Sequence, residues 1–138
     1  MQLALKERAR TLGLTLTALP AAVVDFGPLR TDPELSAGLR WIAAADTIRN
    51  TCPEIEERTW ASLNFARKLL NRAFDLGYGF GEAKAYVDDE TEQARVRAEA
   101  MAYMRQVGAV EGDAASFCAV GRTEIDRKSQ IGVLLRVR

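Results

Sequence analysis

The spacing of the apolar residues after position 33 constrains the fold most strongly. From Glu34 onward, apolar side chains recur every three or four residues, and no segment shows the alternation typical of a β-strand. The pattern predicts five helices, at residues 34–51, 53–76, 82–87, 90–107 and from 114 to near the C-terminus. We therefore predict an all-α, single-domain bundle of four to five helices with short connections.

The second helix is predicted to lie at the centre of this bundle. Apolar residues cover much of its circumference, which is typical of a helix with neighbours on several sides. Pro53 is predicted to occupy its first turn, where a missing N–H costs nothing, and Gly77 to end it in a left-handed conformation.

The N-terminal residues 1–24 are predicted to be a signal peptide. Lys6, Arg8 and Arg10 precede an apolar run over residues 11–24, which is too short for a membrane span of about 20 residues. The alternative is an amphipathic helix that stays attached and packs on the domain. The first interpretation predicts a periplasmic or secreted protein with no membrane span in the mature chain, and the second a cytoplasmic one.

Residues 25–33 are predicted to form a linker between the signal peptide and a helical domain at 34–138. The linker segment reads DFGPLRTDP, and its two prolines and one glycine disfavour a helix that would run through it.

The composition excludes several classes of chemistry. The chain has no histidine, which rules out Ser-His and Cys-His nucleophile pairs and histidine metal sites. Its 19 basic and 19 acidic residues give a net charge of zero, which argues against nucleic acid or an anionic membrane as a partner. We predict no cofactor and no metal.

The two cysteines, Cys52 and Cys118, are predicted to form one structural disulfide. They lack Cys-x-x-Cys spacing, and an even number of cysteines in an exported chain favours a crosslink. The bond would close a long loop and stabilise the fold by about 4 kcal/mol in the chain-entropy model. The alternative is two buried thiols in a cytosolic protein.

Two groups of polar residues are candidate sites. Arg122, Asp126 and Gln130 lie on the predicted polar face of the last helix and form a candidate interaction surface for a protein partner. Asp46 and Arg49 lie on a helix that is otherwise predicted to be core, so we expect them to be buried and to form a candidate polar pocket.

Several segments resemble a known family. Residues 115–122 read ASFCAVGR and residues 129–132 read SQIG, and both resemble the C-terminal part of the domain-of-unknown-function family 5333. Further similarity lies at 45–49 with Cys52, at 76–78 and at 85–87, so that the resemblance covers about 28–135. Gly79 stands where a serine cap is expected.

The resemblance implies a small exported alphaproteobacterial protein in which Cys52 pairs with Cys118, and it implies no activity. It also suggests a gene neighbourhood shared with a respiratory NADH:quinone oxidoreductase.

The sequence therefore favours a non-enzymatic periplasmic domain that binds an unidentified protein or has an accessory structural role. One alternative is a small-ligand binder, or a carboxylate-based enzyme, with an interhelical pocket at Asp46 and Arg49. Another is an accessory factor of the respiratory complex.

Overall fold

The computed structural model describes residues 24–138, which form six α-helices, a 3₁₀ turn and a two-stranded sheet. The elements in chain order are α1 (Gly27–Thr31), α2 (Pro33–Thr51), β1 (Ile55–Glu57), α3 (Thr59–Asp75), α4 (Phe80–Asp88), α5 (Glu90–Gln106), α6 (Ala114–Asp126), the 3₁₀ turn (Gly132–Leu134) and β2 (Leu135–Val137). The predicted all-α class is confirmed. Apart from Val24, the predicted signal peptide lies outside the described residues.

The segment predicted as a linker contains the short helix α1, which packs on the domain. Leu29 is 1% exposed, and the ring of Phe26 meets the ring of Tyr86 at a centroid distance of 5.2 Å. Each proline of the segment lies in the first turn of a helix, Pro28 in α1 and Pro33 in α2. Proline is tolerated there, so the two prolines begin helices instead of preventing them.

Helix α2 is the central element of the bundle. One apolar cluster packs α2 against α5, α6 and the C-terminal residues, and a second joins it to α1, α3 and α4. The prediction that the second long helix is central is wrong, because α3 buries only Leu69 and Ala73. Gly38 lets α2 approach α3, since a Cβ there would lie 2.6 Å from Leu69 Cδ2.

A two-stranded antiparallel sheet replaces the predicted start of the second helix. Ile55 lies opposite Val137 and Glu57 opposite Leu135, so β1 pairs with the C-terminal strand β2. Ile55 is fully buried. Three-residue strands carry too little periodicity to be recognised, and their hydrogen-bond partners lie about 80 residues away.

The last helix ends at Asp126 instead of continuing toward the C-terminus. Lys128 adopts a left-handed conformation with φ of 51°, and the chain folds back over α6. Gly132 then lies so close to the Glu124 carbonyl that a Cβ would overlap it. This contact requires glycine at position 132.

Other helix ends lie where the sequence predicts them. Gly77, with φ of 97°, ends α3 as predicted, and the Tyr78 N–H donates to the Ala73 carbonyl at 3.1 Å. Asp89 begins α5, where its carboxylate accepts a hydrogen bond from the Glu92 N–H at 2.9 Å.

Candidate functional site

A disulfide joins Cys52, at the end of α2, to Cys118, in α6. The two Cα atoms lie 5.2 Å apart, within the usual range for a bridge, and both side chains are buried. The prediction of one disulfide is confirmed, and neither cysteine is a free thiol. The carboxylate of Glu54 lies near the two sulfurs, but the bond leaves no thiolate to bind a metal ion.

Glu124 is a buried carboxylate on α6, between the exposed residues Arg122 and Asp126. It is 1% exposed. The Tyr103 hydroxyl donates to its Oε2 at 2.7 Å, and the Ser129 hydroxyl donates to its Oε1. Burial, followed by the hydrogen bond to Glu124, raises the pKa of Tyr103. This carboxylate therefore joins α5, α6 and the turn after α6.

The two most distinctive sequence segments have structural roles. Ser129 accepts a hydrogen bond from the Gly132 N–H at 3.0 Å, so the SQIG segment closes the turn over Glu124. In the SFC segment, Ser116 accepts from the Val110 N–H at 2.8 Å and fixes the loop before α6. Phe117 fills the core, and Cys118 forms the disulfide.

Two further buried carboxylates attach the N-terminal segment to the domain. Asp32 accepts from Arg72 Nη2 at 2.6 Å, and Glu92 binds both Arg30 and Arg95. Hydrogen bonds from these arginines lower the pKa of Asp32 and of Glu92. Both carboxylates are therefore ionised near neutral pH, and neither is suited to act as a general acid.

The predicted polar pocket is not buried. The side chains of Asp46 and Arg49 are 51% and 39% exposed, and they form an ion pair with each other at 2.7 Å. The expectation of burial is wrong because these residues lie on a face of α2 that no helix between residues 24 and 138 covers.

The predicted interaction surface lies in solvent. Arg122 and Asp126 are exposed on α6, whereas Gln130 lies in the turn beyond its end. Arg122 forms an ion pair with Glu54. A contact with a partner at these three residues stays a prediction.

Part of the surface of α2, between α3 on one side and α4 and α5 on the other, is the floor of a groove. Three adjacent depressions, of about 490, 240 and 200 Å³, all border Ile42. Five side chains at alternating spacings of four and three form the floor, namely Leu35, Leu39, Ile42, Asp46 and Arg49. At a rise of 1.5 Å per residue, this floor is about 21 Å long. We call this feature the α2 groove.

The walls of the α2 groove are mostly apolar. Helix α3 forms one wall, and α4 and α5 form the other; the wall residues include Leu63, Ala66, Leu70, Phe80, Val87, Val96 and Arg97. Three of them are unusually exposed for large apolar side chains, namely Leu63 at 51%, Phe80 at 61% and Val87 at 47%. The sequence contained this signal, because the apolar circumference of α3 exceeds what α3 buries.

Polar groups border the groove at the end near the sheet and along the α4–α5 wall, where they are Lys84, Asp88, Glu92, Gln93 and Arg97. Asp46, Arg49 and Glu57 border the end near the sheet, and Leu29 and Leu35 close the other end. A long apolar channel between helices, with polar groups at its edge, has the shape and chemistry that accept an amphipathic helix.

None of the described helices combines the length and the hydrophobicity that crossing a bilayer requires. No curated protein and no solved structure matches the chain. A family model described as a family of unknown function (DUF5333) matches residues 27–136, which include every helix from α1 to α6 and the disulfide. The chain therefore belongs to the DUF5333 family.

Proposed function

We propose that the protein is an exported, non-enzymatic interaction domain that binds a helix of another protein in the α2 groove. The observation that carries this proposal is the exposed apolar lining of the groove along α2. Large apolar side chains such as Phe80 and Val87 remain accessible there, although a helical bundle normally buries such residues between helices.

The geometry of the neighbouring helices supports a helix as the occupant. Helix α2 contacts α3, α5 and α6, yet its Leu39 and Ile42 are only partly buried. Packed helices lie 8–10 Å apart and interdigitate their side chains. A helix of about 14 residues would span the floor from Leu35 to Arg49 and contact both walls.

The disulfide supports export. Bonds of this kind persist in oxidising compartments and are rare in the cytosol. Cys52 and Cys118 are buried in the largest apolar cluster, so the bond is part of the core of the domain. Export would use the predicted signal peptide at residues 1–24.

The buried carboxylates support a role without catalysis. Asp32, Glu92 and Glu124 are each held by arginine, tyrosine or serine donors that attach one element of the fold to another. A group used in this way stabilises the domain, whereas a general acid or base needs a perturbed pKa near the working pH and access to a substrate.

Fractionation tests the export part of the proposal. The full chain, carrying a C-terminal tag, is expressed in a Gram-negative host and recovered from periplasm and cytoplasm. We expect a periplasmic product whose mass shows loss of about the first 24 residues and whose cysteines resist alkylation until reduced. A full-length cytoplasmic product with two alkylated thiols would contradict export.

Photo-crosslinking tests the binding part. A photoreactive amino acid replaces Ala66, which is exposed in the α2 groove, or Ala102, which is exposed on α5 outside it. We expect position 66 alone to yield an adduct, and mass spectrometry to map the adduct to an amphipathic helix of the partner. Equal adducts at both positions, or adducts only with non-helical segments, would contradict the proposal.

A further inference from the structure

The charges beside the α2 groove identify the chemistry of its occupant. This inference rests on the proposed function and specifies the partner. We infer that the groove selects an acidic amphipathic helix, with an apolar face toward Ile42 and carboxylates along its flanks that pair with Arg67 and Arg97.

The first argument is the distribution of unpaired arginines. Of the 13 arginines between residues 24 and 138, 10 form an ion pair with a described carboxylate. The three without such a pair in this part of the chain are Arg58, Arg67 and Arg97. Arg58 donates to the Val133 carbonyl at 3.0 Å, beside the C-terminal strand. The other two are associated with the groove.

Arg97 lies on the α5 side of the groove. It lines the depression next to Leu39 and Ile42, and its side chain is exposed. The helix offers it no acidic neighbour, since Gln93 lies four residues before it and Met101 four residues after. Its charge therefore faces the groove without a counter-ion among the described residues.

Arg67 lies on the α3 side. It is exposed, and its guanidinium donates to the side-chain oxygen of Asn64 at 3.3 Å but pairs with no described carboxylate. Leu63 and Leu70, which line the groove, lie four residues before and three residues after it. Residues at these spacings are neighbours on one helix face, so Arg67 lies beside the apolar wall.

The acidic residues that line the groove already have cationic partners. Asp46 and Glu57 both pair with Arg49, Asp88 pairs with Lys84, and Glu92 binds Arg30 and Arg95. Among the described residues, the charged groups beside the two walls that lack an ion-pair partner are therefore the guanidinium groups of Arg67 and Arg97. A helix with basic flanks would meet unpaired guanidinium groups on both sides, whereas carboxylates would complement them.

Selection from a peptide library tests the inference. The full chain is immobilised and offered 18-residue helices that share one leucine face, with Glu, Gln or Lys varied at the flanking positions. We expect enrichment of helices with Glu on both flanks, and we expect the best of them to bind about tenfold more tightly than its Lys counterpart.

Three arginine variants test which residues cause the preference for acidic flanks. Arg67→Gln and Arg97→Gln should each weaken binding of the selected Glu helix about threefold, and added salt should remove most of this difference. Arg58→Gln, which removes an arginine that also lacks a carboxylate partner, should leave the affinity unchanged. Equal loss with all three variants would overturn the assignment of the two groove arginines.

The library outcomes separate the two proposals. Enrichment of the leucine face without preference at the flanks, or with preference for Lys, would overturn the acidic partner and leave the groove as a helix site. Failure to enrich any helix would overturn the proposed function itself. Two other results would also overturn the inference. Binding to vesicles of anionic phosphatidylglycerol that requires Arg97 would assign the groove to a lipid surface. A dimer that Ala66→Glu dissociates would assign the groove to a second copy of the chain.

Discussion

The hydroxyl of Tyr103 donates a 2.7 Å hydrogen bond to the carboxylate of Glu124, a residue that is 1% exposed. Tyr103 belongs to α5 and Glu124 to α6, so this bond joins two helices through a buried charge. A buried carboxylate without its donors would cost far more free energy than a hydrogen bond contributes on the surface. The pair is therefore a structural requirement of the fold.

Tyr103→Phe is expected to destabilise the protein by about 2 kcal/mol, because it removes a donor from a buried carboxylate without replacing it. Glu124→Gln should also destabilise, and the double variant should lose less than the sum of the two because both changes affect one interaction. Urea unfolding of the four proteins measures the coupling free energy. Strict additivity would show that the two residues act independently.

Acid should destabilise the protein through Asp32 and Glu92. The folded-state pKa of each is lowered, chiefly by hydrogen bonds from Arg72 and Arg30, below an unfolded value of about 4. Their stabilisation is thus fully present above about pH 5 and is lost as the pH falls through the unfolded and then the folded pKa.

Urea unfolding between pH 2 and 7 measures this loss. Asp32→Asn and Glu92→Gln should each flatten the acid limb of the stability profile. Asp88→Asn is the matched control, since Asp88 is 57% exposed and pairs with Lys84 at the surface; we expect it to change stability at pH 7 by less than about 0.5 kcal/mol. An acid limb of unchanged slope in both test variants would contradict the prediction.

Removal of the disulfide should cost about 4 kcal/mol. The bonded cysteines are 66 residues apart, and an open chain gains the conformational freedom that this crosslink removes from the unfolded state. Unfolding of the Cys52→Ser/Cys118→Ser variant, compared with oxidised and reduced wild type, tests this value. A difference below about 1 kcal/mol would contradict it.

Gly132→Ala should destabilise by at least about 2 kcal/mol, because the added methyl group would overlap the Glu124 carbonyl and the turn would have to move. Gly81→Ala is the matched control. No atom of residues 24–138 lies within 4 Å of a Cβ at Gly81, in the first turn of α4, so alanine there should be neutral or stabilising. Thermal unfolding of both variants measures the difference. Equal unfolding midpoints for the Gly132→Ala and Gly81→Ala variants would contradict the contact between Gly132 and the Glu124 carbonyl.

Local patterns in the sequence were sufficient to predict several elements. The first predicted helix, 34–51, and the fourth, 90–107, match α2 at Pro33–Thr51 and α5 at Glu90–Gln106 within one residue at each end. Their caps, Asp32 and Asp89, act within the neighbouring turn, so the necessary information lies close in the sequence. The disulfide was also predicted, from the number of cysteines and the expected export.

The elements that sequence reasoning missed depend on distant parts of the chain. Ile55 is part of a strand because residues near position 137 supply its hydrogen bonds. Glu124 lies on the helix whose polar face was predicted to be in solvent, and it is buried because Tyr103 and Ser129 reach it from other parts of the chain. In both cases tertiary contacts override a local preference.

The candidate site, too, could be predicted only in part from the sequence. The apolar surplus of α3 is visible in the sequence, where it predicts a central helix. Only the arrangement of α2 between α3 and α5 shows that this surplus lines an open groove, with Asp46 and Arg49 at its polar end.

The disulfide lies at the end of the helix that forms the groove floor, opposite the end that Asp32 caps and attaches to Arg72. Both ends of α2 are thus fixed to other helices. Binding of a helix would therefore move side chains of the groove walls, whereas the position of α2 would stay unchanged. Reduction would release one of these two ties. If the chain is exported and the groove binds a helix, both as proposed, oxidation of Cys52 and Cys118 would strengthen binding, and a reduced precursor would bind its partner more weakly than the folded, exported protein.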